Sequence, residues 1–373
     1  MPRRRRRLWS SHHAWPHRSH DACRIREEHP ALRHGSVAST QGDCAGGADR
    51  GGGGVNTAAA AIDPELVTAS GLLRDRGLVT SNPAVTPIGE ARAALVPVSA
   101  FLNEGSVPLA EERDLRIPAN GRDIPCRLYR PDGIERPPLL VYAHGGSFAL
   151  GDLNGWDGAL RALVRESGAA ILHVDYRLAP EHRFPAAFND MLATIRHAAR
   201  DGEALGINPQ RLAAGGDSAG ANLALAAALA LRDEGASPLR FLLLHYGVYS
   251  TDGDSPSWQR FGSGDYVLSR AQLDWVWSTY LGHPREKDDW RVAPLLAPLA
   301  GLPPAHLAIG TLDPLLDDNE RLAAGLAAAG VPCRLVRYDG LVHGYIRFGR
   351  LVTSVRRAIA DSAAALRSGL VLA

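Results

Sequence analysis

Ser218 stands in the segment Gly216-Asp217-Ser218-Ala219-Gly220, between a predicted strand and an alanine-rich predicted helix. A serine on a tight strand-to-helix turn needs small residues two positions away on each side, because larger side chains would collide with neighbouring backbone. Such a turn leaves the hydroxyl exposed beside the amino end of the helix. A G-x-S-x-G segment also occurs by chance as a helix cap in a glycine-rich loop. Its position between strand and helix favours a nucleophilic serine.

A serine hydroxyl is a poor nucleophile near neutral pH, so a base must remove its proton. The histidines that follow Ser218 in the chain are His245, His283, His306 and His343. Only the last of them lies in a loop after the final predicted strand. We therefore predict that His343 is the base.

A carboxylate must hold that histidine in the correct tautomer, and Asp313 is the favoured candidate. It follows the predicted strand 306–310. In this kind of site the acid comes between the serine and the histidine along the chain, and this loop is where it belongs. Asp317 and Asp318 are rivals, although they also suit the start of the next helix, where the helix dipole favours negative charge. The joint placement predicts a catalytic triad of Ser218, Asp313 and His343.

A second glycine segment, His144-Gly145-Gly146-Ser147-Phe148, ends another predicted strand. Backbone N–H groups at this position can stabilise the oxyanion of a tetrahedral intermediate, and the N–H of Ala219 would add a further donor. In isolation the segment would be a plain turn after a strand. Beside a serine on a strand-to-helix turn, an oxyanion hole is the favoured interpretation.

These motifs together resemble the hormone-sensitive-lipase-like family of esterases, which carries an HGGG segment upstream of GDSAG. The resemblance covers residues 63–368 and includes the matching segments DYRLAPEH at 175–182, FPAA at 184–187, DPLLD at 313–317 and His343-Gly344. It implies an α/β-hydrolase fold with oxyanion donors at Gly146, Ser147 and Ala219. Ser147 stands where the family usually has a third glycine; it keeps the backbone N–H but restricts φ and adds a hydroxyl.

The rest of the pattern supplies the elements that would position these residues. Helices are predicted over 64–76 and 88–103, and two alternating strands, 113–117 and 122–129, are joined by the hairpin signal Asn120-Gly121. Apolar strands then alternate with amphipathic helices, which predicts a mostly parallel sheet of about eight strands, flanked by helices on both faces. The further predicted strands are 139–143, 170–175, 211–214, 241–246, 306–310 and 333–338, and the further helices are 155–166, 186–199, 219–233, 318–329 and 352–366.

The alternation fails between Gly247 and Pro304, where an aromatic-rich insertion appears. The resemblance assigns about 250–290, together with about 63–108, to a helical cap over the active site. Phe261, Trp275 and Trp277 would suit an apolar acyl or alcohol group if they lined that site. Packing of the cap onto the body is an equal alternative for each of these aromatic residues.

Residues 1–54 differ in composition from the hydrolase domain predicted over 55–373. They contain ten arginines against five acidic residues and almost no apolar periodicity. This composition predicts a disordered basic segment. The run Gly51 to Gly54 before Val55 is what a purine-rich ribosome-binding site and a GTG start codon would encode, so the segment could lie outside the mature protein.

The bulk composition excludes several classes of partner. A net charge of +1 with 22% charged residues gives no reason to expect nucleic acid, and no window approaches the roughly 20 apolar residues of a membrane-spanning helix. Four cysteines without CxxC spacing predict neither a disulfide framework nor a metal site. We expect a cytoplasmic enzyme, with a homo-oligomer left open, that acts on a small uncharged substrate.

The sequence therefore predicts a carboxylesterase that forms an acyl-enzyme on Ser218 and needs no metal or organic cofactor. A small enclosed pocket would favour acyl groups of about two to eight carbons. Amide or peptide hydrolysis stays open as an alternative, since the triad does not separate ester from amide. A non-catalytic receptor, like the plant gibberellin receptors that resemble this family, is less favoured because the histidine that they have lost is present here as His343.

Overall fold

The structure is a computed structural model that describes residues 61–119, 121–235 and 237–370. The predicted basic segment 1–54 lies outside the described residues. The described chain begins with two helices, α1 (Pro64–Asp75) and α2 (Ile88–Leu102). The Asp63 carboxylate caps α1 by accepting hydrogen bonds from the N–H groups of Glu65 and Leu66, and Pro64 suits a first helical position, where no N–H is needed.

Eight strands of the described chain form a single sheet. They are β1 (Glu111–Ala119), β2 (Arg122–Arg130), β3 (Leu139–Ala143), β4 (Ala170–Val174), β5 (Leu212–Asp217), β6 (Leu239–His245), β7 (Ala305–Gly310) and β8 (Cys333–Tyr338). Their order is β1-β2-β4-β3-β5-β6-β7-β8. β2 runs antiparallel to β1 and β4, and the other neighbours are parallel. The predicted mostly parallel eight-stranded sheet is confirmed.

Helices cover both faces of this sheet. The remaining ones are α3 (Asp157–Ser167), α4 (Ala186–Asp201), α5 (Ala219–Asp233), α6 (Pro256–Phe261), α7 (Arg270–Tyr280), α8 (Leu316–Ala328) and α9 (Thr353–Leu370). Residues of α4, α5 and α8 share one apolar core, whereas α3 and α9 share the other. Along β3, Leu139 and Val141 enter the first core while Leu140 and Tyr142 enter the second, as the period of two in a strand requires.

The parallel strands direct their carboxyl ends to one edge of the sheet, and the predicted site residues follow these ends. The Gly145 to Ser147 segment follows β3, Ser218 follows β5, Asp313 follows β7 and His343 follows β8. Loops at the carboxyl ends of parallel strands are where open α/β sheets bind ligands. The topology therefore accounts for the meeting of residues that lie up to 198 positions apart, from Gly145 to His343.

Candidate active site

Ser218 occupies a strained turn between β5 and α5. Its φ is 53° and its ψ is −117°, a conformation that L residues rarely adopt and that functional sites tolerate when the surroundings fix it. Close packing explains the two flanking glycines, because a Cβ on Gly216 or Gly220 would overlap the carbonyl oxygen of Ala143. The backbone N–H of Ser218 donates to the carbonyl oxygen of His245, 2.9 Å away, which ties the turn to β6.

The structure brings Ser218, His343 and Asp313 into one chain of hydrogen bonds. Ser218 Oγ lies 2.9 Å from His343 Nε2, and His343 Nδ1 lies 2.9 Å from Asp313 Oδ2. The other Asp313 oxygen accepts the N–H of Leu315 at 2.9 Å, so the buried carboxylate is held at both ends. The ring of Tyr246 packs edge-on against His343, with centroids 5.0 Å apart. This arrangement can transfer a proton from the serine hydroxyl to an oriented imidazole.

The rival carboxylates and histidines lie elsewhere. Asp317 accepts the N–H of Ser257, and Asp318 accepts those of Tyr249 and Ser250, so both anchor the insertion between β6 and β7. Of the histidines, His245 bonds Ser362 and His283 caps a 3₁₀ helix. As expected, Asp317 and Asp318 lie in the first turn of α8, and one oxygen of each also accepts these backbone N–H groups.

The loop after β3 places unbonded N–H groups beside the serine. Within the described chain, the backbone N–H groups of Gly146, Ser147 and Ala219 donate to no protein acceptor, whereas that of Gly145 donates to Asp217 Oδ1 at 2.9 Å. Ser147 has a φ of 57°, and Phe148 follows with a φ of 58°. Serine therefore adopts the left-handed conformation that the missing third glycine would have adopted at lower cost.

Three contacts hold this strained loop. The carbonyl oxygen of Gly146 accepts from Ala149 at 3.0 Å and from Leu150 at 2.8 Å. The ring of Phe148 stacks on that of Tyr280, with centroids 3.9 Å apart and planes 7° from parallel. A non-glycine residue in the left-handed conformation needs several such contacts, because the conformation is unfavourable by itself.

Asp217 is a buried acid whose structural role the motif alone did not reveal. Its Oδ1 accepts the Tyr142 hydroxyl at 2.9 Å as well as the Gly145 N–H, and its Oδ2 accepts the Tyr246 hydroxyl at 3.3 Å. Burial raises the pKa of Asp217, and the hydrogen bonds from Tyr142 and Gly145 oppose that rise. One carboxylate thus connects the loop after β3 to the tyrosine that packs on His343.

Two cavities of very different size border Ser218. The large cavity, of about 520 Å³, is walled mainly by aliphatic side chains of α1 and α2: Leu66, Leu73, Leu95, Val98 and Leu102. The small cavity, of about 30 Å³, lies against Ser147, Ser218 and Ala219 and is enclosed by Val248, Trp258, Leu268, Gln272, Leu273, Val276 and Leu315 together with Phe148. Of the two segments predicted as a cap, the one before the sheet borders the large cavity, and the insertion borders both, since Val267 and Leu268 also line the large cavity.

The expected aromatic lining is wrong for the three residues named from the sequence. Trp277 is fully buried against Phe148, Phe261 packs against Tyr266 at 5.0 Å, and Trp275 packs against the body core. None of the three borders either cavity beside Ser218. These aromatic residues attach the insertion to the body, which was the alternative interpretation.

Metal and membrane signals are absent from the part of the chain that the structure describes. Residues 61–119, 121–235 and 237–370 contain no group of three or more His, Cys, Asp or Glu side chains placed to hold a metal ion. Among the same residues, no helix combines the length and apolar character needed to cross a membrane.

Comparison with known proteins agrees with this geometry. The α/β-hydrolase fold family matches residues 140–347. The carboxylic ester hydrolase LipN of Mycobacterium tuberculosis is 38% identical over 271 residues, 69% of this chain and 70% of that one. The ethyl acetate hydrolase of Pseudomonas putida is 37% identical over 67% of this chain and 80% of its own length.

A solved structure extends the similarity to the fold. The esterase of Pyrobaculum calidifontis superposes with a TM-score of 0.78 at 33% identity, and the match covers 83% of this chain and all of that one. Sheet, motifs and relatives agree on one classification. The chain belongs to the α/β-hydrolase fold family and, within it, to the hormone-sensitive-lipase-like esterases.

Proposed function

We propose that this carboxylesterase hydrolyses esters of short acyl groups, with Ser218 as nucleophile, His343 as base and Asp313 as the orienting acid. The observation that carries the proposal is the unbroken chain of 2.9 Å contacts from Ser218 to Asp313 at the edge of two cavities. His343 Nε2 takes the serine proton as Oγ attacks the ester carbonyl, and then returns it to the leaving alcohol. Water releases the acyl group in a second half-reaction on the same histidine.

We assign the developing oxyanion to the N–H groups of Gly146, Ser147 and Ala219. Their support is that all three are unbonded and lie beside the serine, while the loop that carries two of them is held by Phe148 and by its own turn. Donors that are fixed before the reaction stabilise the transition state without reorganisation. The serine at position 147 supplies its N–H as a glycine would.

The small cavity is the basis for assigning a short acyl group. It touches the nucleophile and two proposed oxyanion donors at once, so it suits the group attached to the carbonyl carbon. A volume of about 30 Å³ admits about two water-sized groups. The alcohol portion then occupies the large cavity. The ethyl acetate hydrolase among the relatives is named for an ester with a two-carbon acyl group, which supports the short acyl group.

A series of p-nitrophenyl esters from acetate to octanoate tests the proposal. We expect kcat/KM to be highest for the shortest members, and Ser218→Ala to lower the rate by several orders of magnitude because the triad acts as a unit. Leu273→Ala should shift the optimum to longer acyl chains, since Leu273 encloses the small cavity. The matched control Leu95→Ala, in the large cavity, should leave the optimum in place.

Two outcomes would count against this assignment. Highest turnover on long-chain emulsified triglyceride would indicate a true lipase, and activity near wild type in Ser218→Ala would remove the nucleophile. Faster cleavage of the matching anilides would favour the amide hydrolase alternative. The cytoplasmic location and the homo-oligomer stay predictions.

A further inference from the structure

Arg347 is a cation in the wall of the large cavity, four residues after His343. It lies in a 3₁₀ helix, Tyr345–Phe348, and is only partly exposed. Nε donates to the carbonyl oxygen of Gly155 at 3.0 Å and Nη2 donates to Ser99 Oγ at 2.7 Å. The guanidinium carbon lies 5.0 Å from the centroid of the Trp156 ring. These partners are all neutral.

No carboxylate in the described part of the chain forms an ion pair with Arg347 within 4.0 Å. Asp217 and Asp152 influence it through space, but the Asp217 oxygens already accept three hydrogen bonds and Asp152 caps Gly155. Glu104 forms its ion pair with Arg350, at 3.6 Å, and not with Arg347. Burial lowers the pKa of Arg347, as expected for a cation removed from water. An enclosed cation without a paired anion is costly, and a bound anion would offset that cost.

Among the described residues, the rest of the large cavity contains one carboxylate, Asp217, whose oxygens already accept three hydrogen bonds. Its wall is mainly aliphatic, and the other cation that borders it is Arg74 of α1, which is exposed and makes no ion pair among the described residues. The Nη1 group of Arg347 makes no hydrogen bond within the same residues. The cavity thus offers an apolar volume with a charged donor in its wall, which suits an amphipathic anion.

We propose that the large cavity recognises esters whose alcohol portion carries a carboxylate, and that Arg347 binds this carboxylate. The inference rests on the proposed function, because that assigns the alcohol portion to the large cavity. This substrate differs from the uncharged one expected from composition, because composition could not show that a single arginine of the described chain is enclosed without an anion partner. Arginine suits a carboxylate because its fork of N–H donors matches the two oxygens.

Hydrolysis of 4-acetoxybenzoate and of its neutral counterpart 4-acetoxybenzamide tests the proposal. We expect kcat/KM for wild type to favour the carboxylate by about tenfold or more, as one charge-assisted hydrogen bond allows. In Arg347→Met this ratio should fall to about one. Arg350→Met is the matched control: it removes a nearby cation that does not border the large cavity, and the ratio should be kept.

Calorimetric titration of the wild-type protein with 4-hydroxybenzoate and 4-hydroxybenzamide compares the affinities for the two ligands. This measurement requires neither turnover nor a folded variant. Tighter binding of the carboxylate is expected. Equal binding, a wild-type ratio near one, or an unchanged ratio in Arg347→Met would overturn the proposal. If the wild-type protein hydrolysed none of these esters, the proposed function would be refuted instead. The titration would still show whether the protein prefers the carboxylate.

Discussion

Asp313 and Asp318 are both buried carboxylates, five residues apart on one loop and helix, yet their partners separate their roles. Asp313 faces the imidazole of His343, whereas Asp318 faces two backbone N–H groups of the segment after β6. A carboxylate that faces an imidazole can select its tautomer and stabilise its charge. A carboxylate that faces amides can only anchor the backbone. Position in the sequence favours Asp313, and the hydrogen-bond partners separate the two roles.

Asp313→Asn should therefore damage catalysis far more than Asp318→Asn. The amide at position 313 would present the wrong group to His343 Nδ1, so we expect kcat/KM for ester hydrolysis to fall about 10³ to 10⁴-fold. The amide oxygen at position 318 can still accept the N–H groups of Tyr249 and Ser250, and activity should stay within about tenfold of wild type. The reverse ranking would show that the acid is wrongly assigned.

Asp318 should also make stability depend on pH. Burial raises its pKa from an ordinary value of 3.8 to about 7, so the folded protein keeps a proton that the unfolded chain has released. The free energy of unfolding then falls as pH rises from about 4 to about 7. Above that range the contribution of Asp318 to it no longer changes with pH. Asp318→Asn has no such proton, so its stability relative to wild type should rise between pH 5 and pH 8 by on the order of 2 kcal/mol.

Chemical denaturation of both proteins at the two pH values measures this difference. A stability difference that is the same at pH 5 and pH 8 would contradict the argument.

The sequence could indicate the proposed triad because each member carries its own local signal. Ser218 lies between two glycines, and His343 and Asp313 follow predicted strands in the required order. Arg347 and Asp217 carry no comparable signal. Their significance depends on partners such as Ser99 and Tyr142, which lie far away in the chain, and on which of those partners are charged.

At the scale of elements, α2 is attached to the body along its whole length. Arg92 donates near its start, Ser99 accepts from Arg347 in its last turn, and Asn103 just past its end accepts the N–H of Gly158. The Arg92 guanidinium donates to the carbonyl oxygens of Ala149 and Ala179 at 2.9 and 2.8 Å and forms two contacts of 2.8 Å with Glu181. Ala149 ends the loop after β3 that carries Gly146 and Ser147, so α2 is coupled to two of the proposed oxyanion donors.

Arg92→Met should lower kcat about tenfold while KM changes by less than about twofold. The methionine keeps the apolar stem but frees the carbonyl of Ala149, so Gly146 and Ser147 are held less firmly when the oxyanion forms. Glu181→Gln is the matched control, because Arg92 keeps both backbone carbonyls in it and kcat should be maintained. A rise in KM without loss of kcat in Arg92→Met would mean that Arg92 only shapes the large cavity.

Periodicity predicted the helices and strands closely, but it could not assign the faces of the insertion. The strand 333–338 and the helix 219–233 agree with β8 and α5 at both ends. In α7, Trp277 and Tyr280 both pack against Phe148, whereas Leu273 and Val276 enclose the small cavity. A short helix that packs on one side and lines a cavity on the other is apolar on both sides. The sequence pattern therefore cannot predict which side faces the cavity.

At the scale of the whole molecule, the sheet separates two apolar cores and gathers the loops that carry the proposed triad at one edge. Both cavities open at that edge, and α1 joins the body there through Asp63, whose N–H donates to Gly340 at 2.9 Å and whose carboxylate accepts the Ser354 hydroxyl at 2.6 Å. Leu66 and Leu73 of α1 then form part of the large cavity. The hydrolase body thus depends on the chain from about Asp63 onward.

A chain that begins at Val55 should therefore keep both its thermal stability and its rate of ester hydrolysis. Residues 1–54 lie outside the described residues, and their excess of arginine and glycine offers little apolar surface to offset the entropy of ordering. A chain that begins at Gly77 is the matched control, because it also removes α1 with Leu66, Leu73 and the contacts of Asp63, and should lose both stability and activity. Thermal unfolding and p-nitrophenyl acetate turnover measure the two properties. A loss in the Val55 chain equal to that in the Gly77 chain would mean that the basic segment contributes to the folded hydrolase.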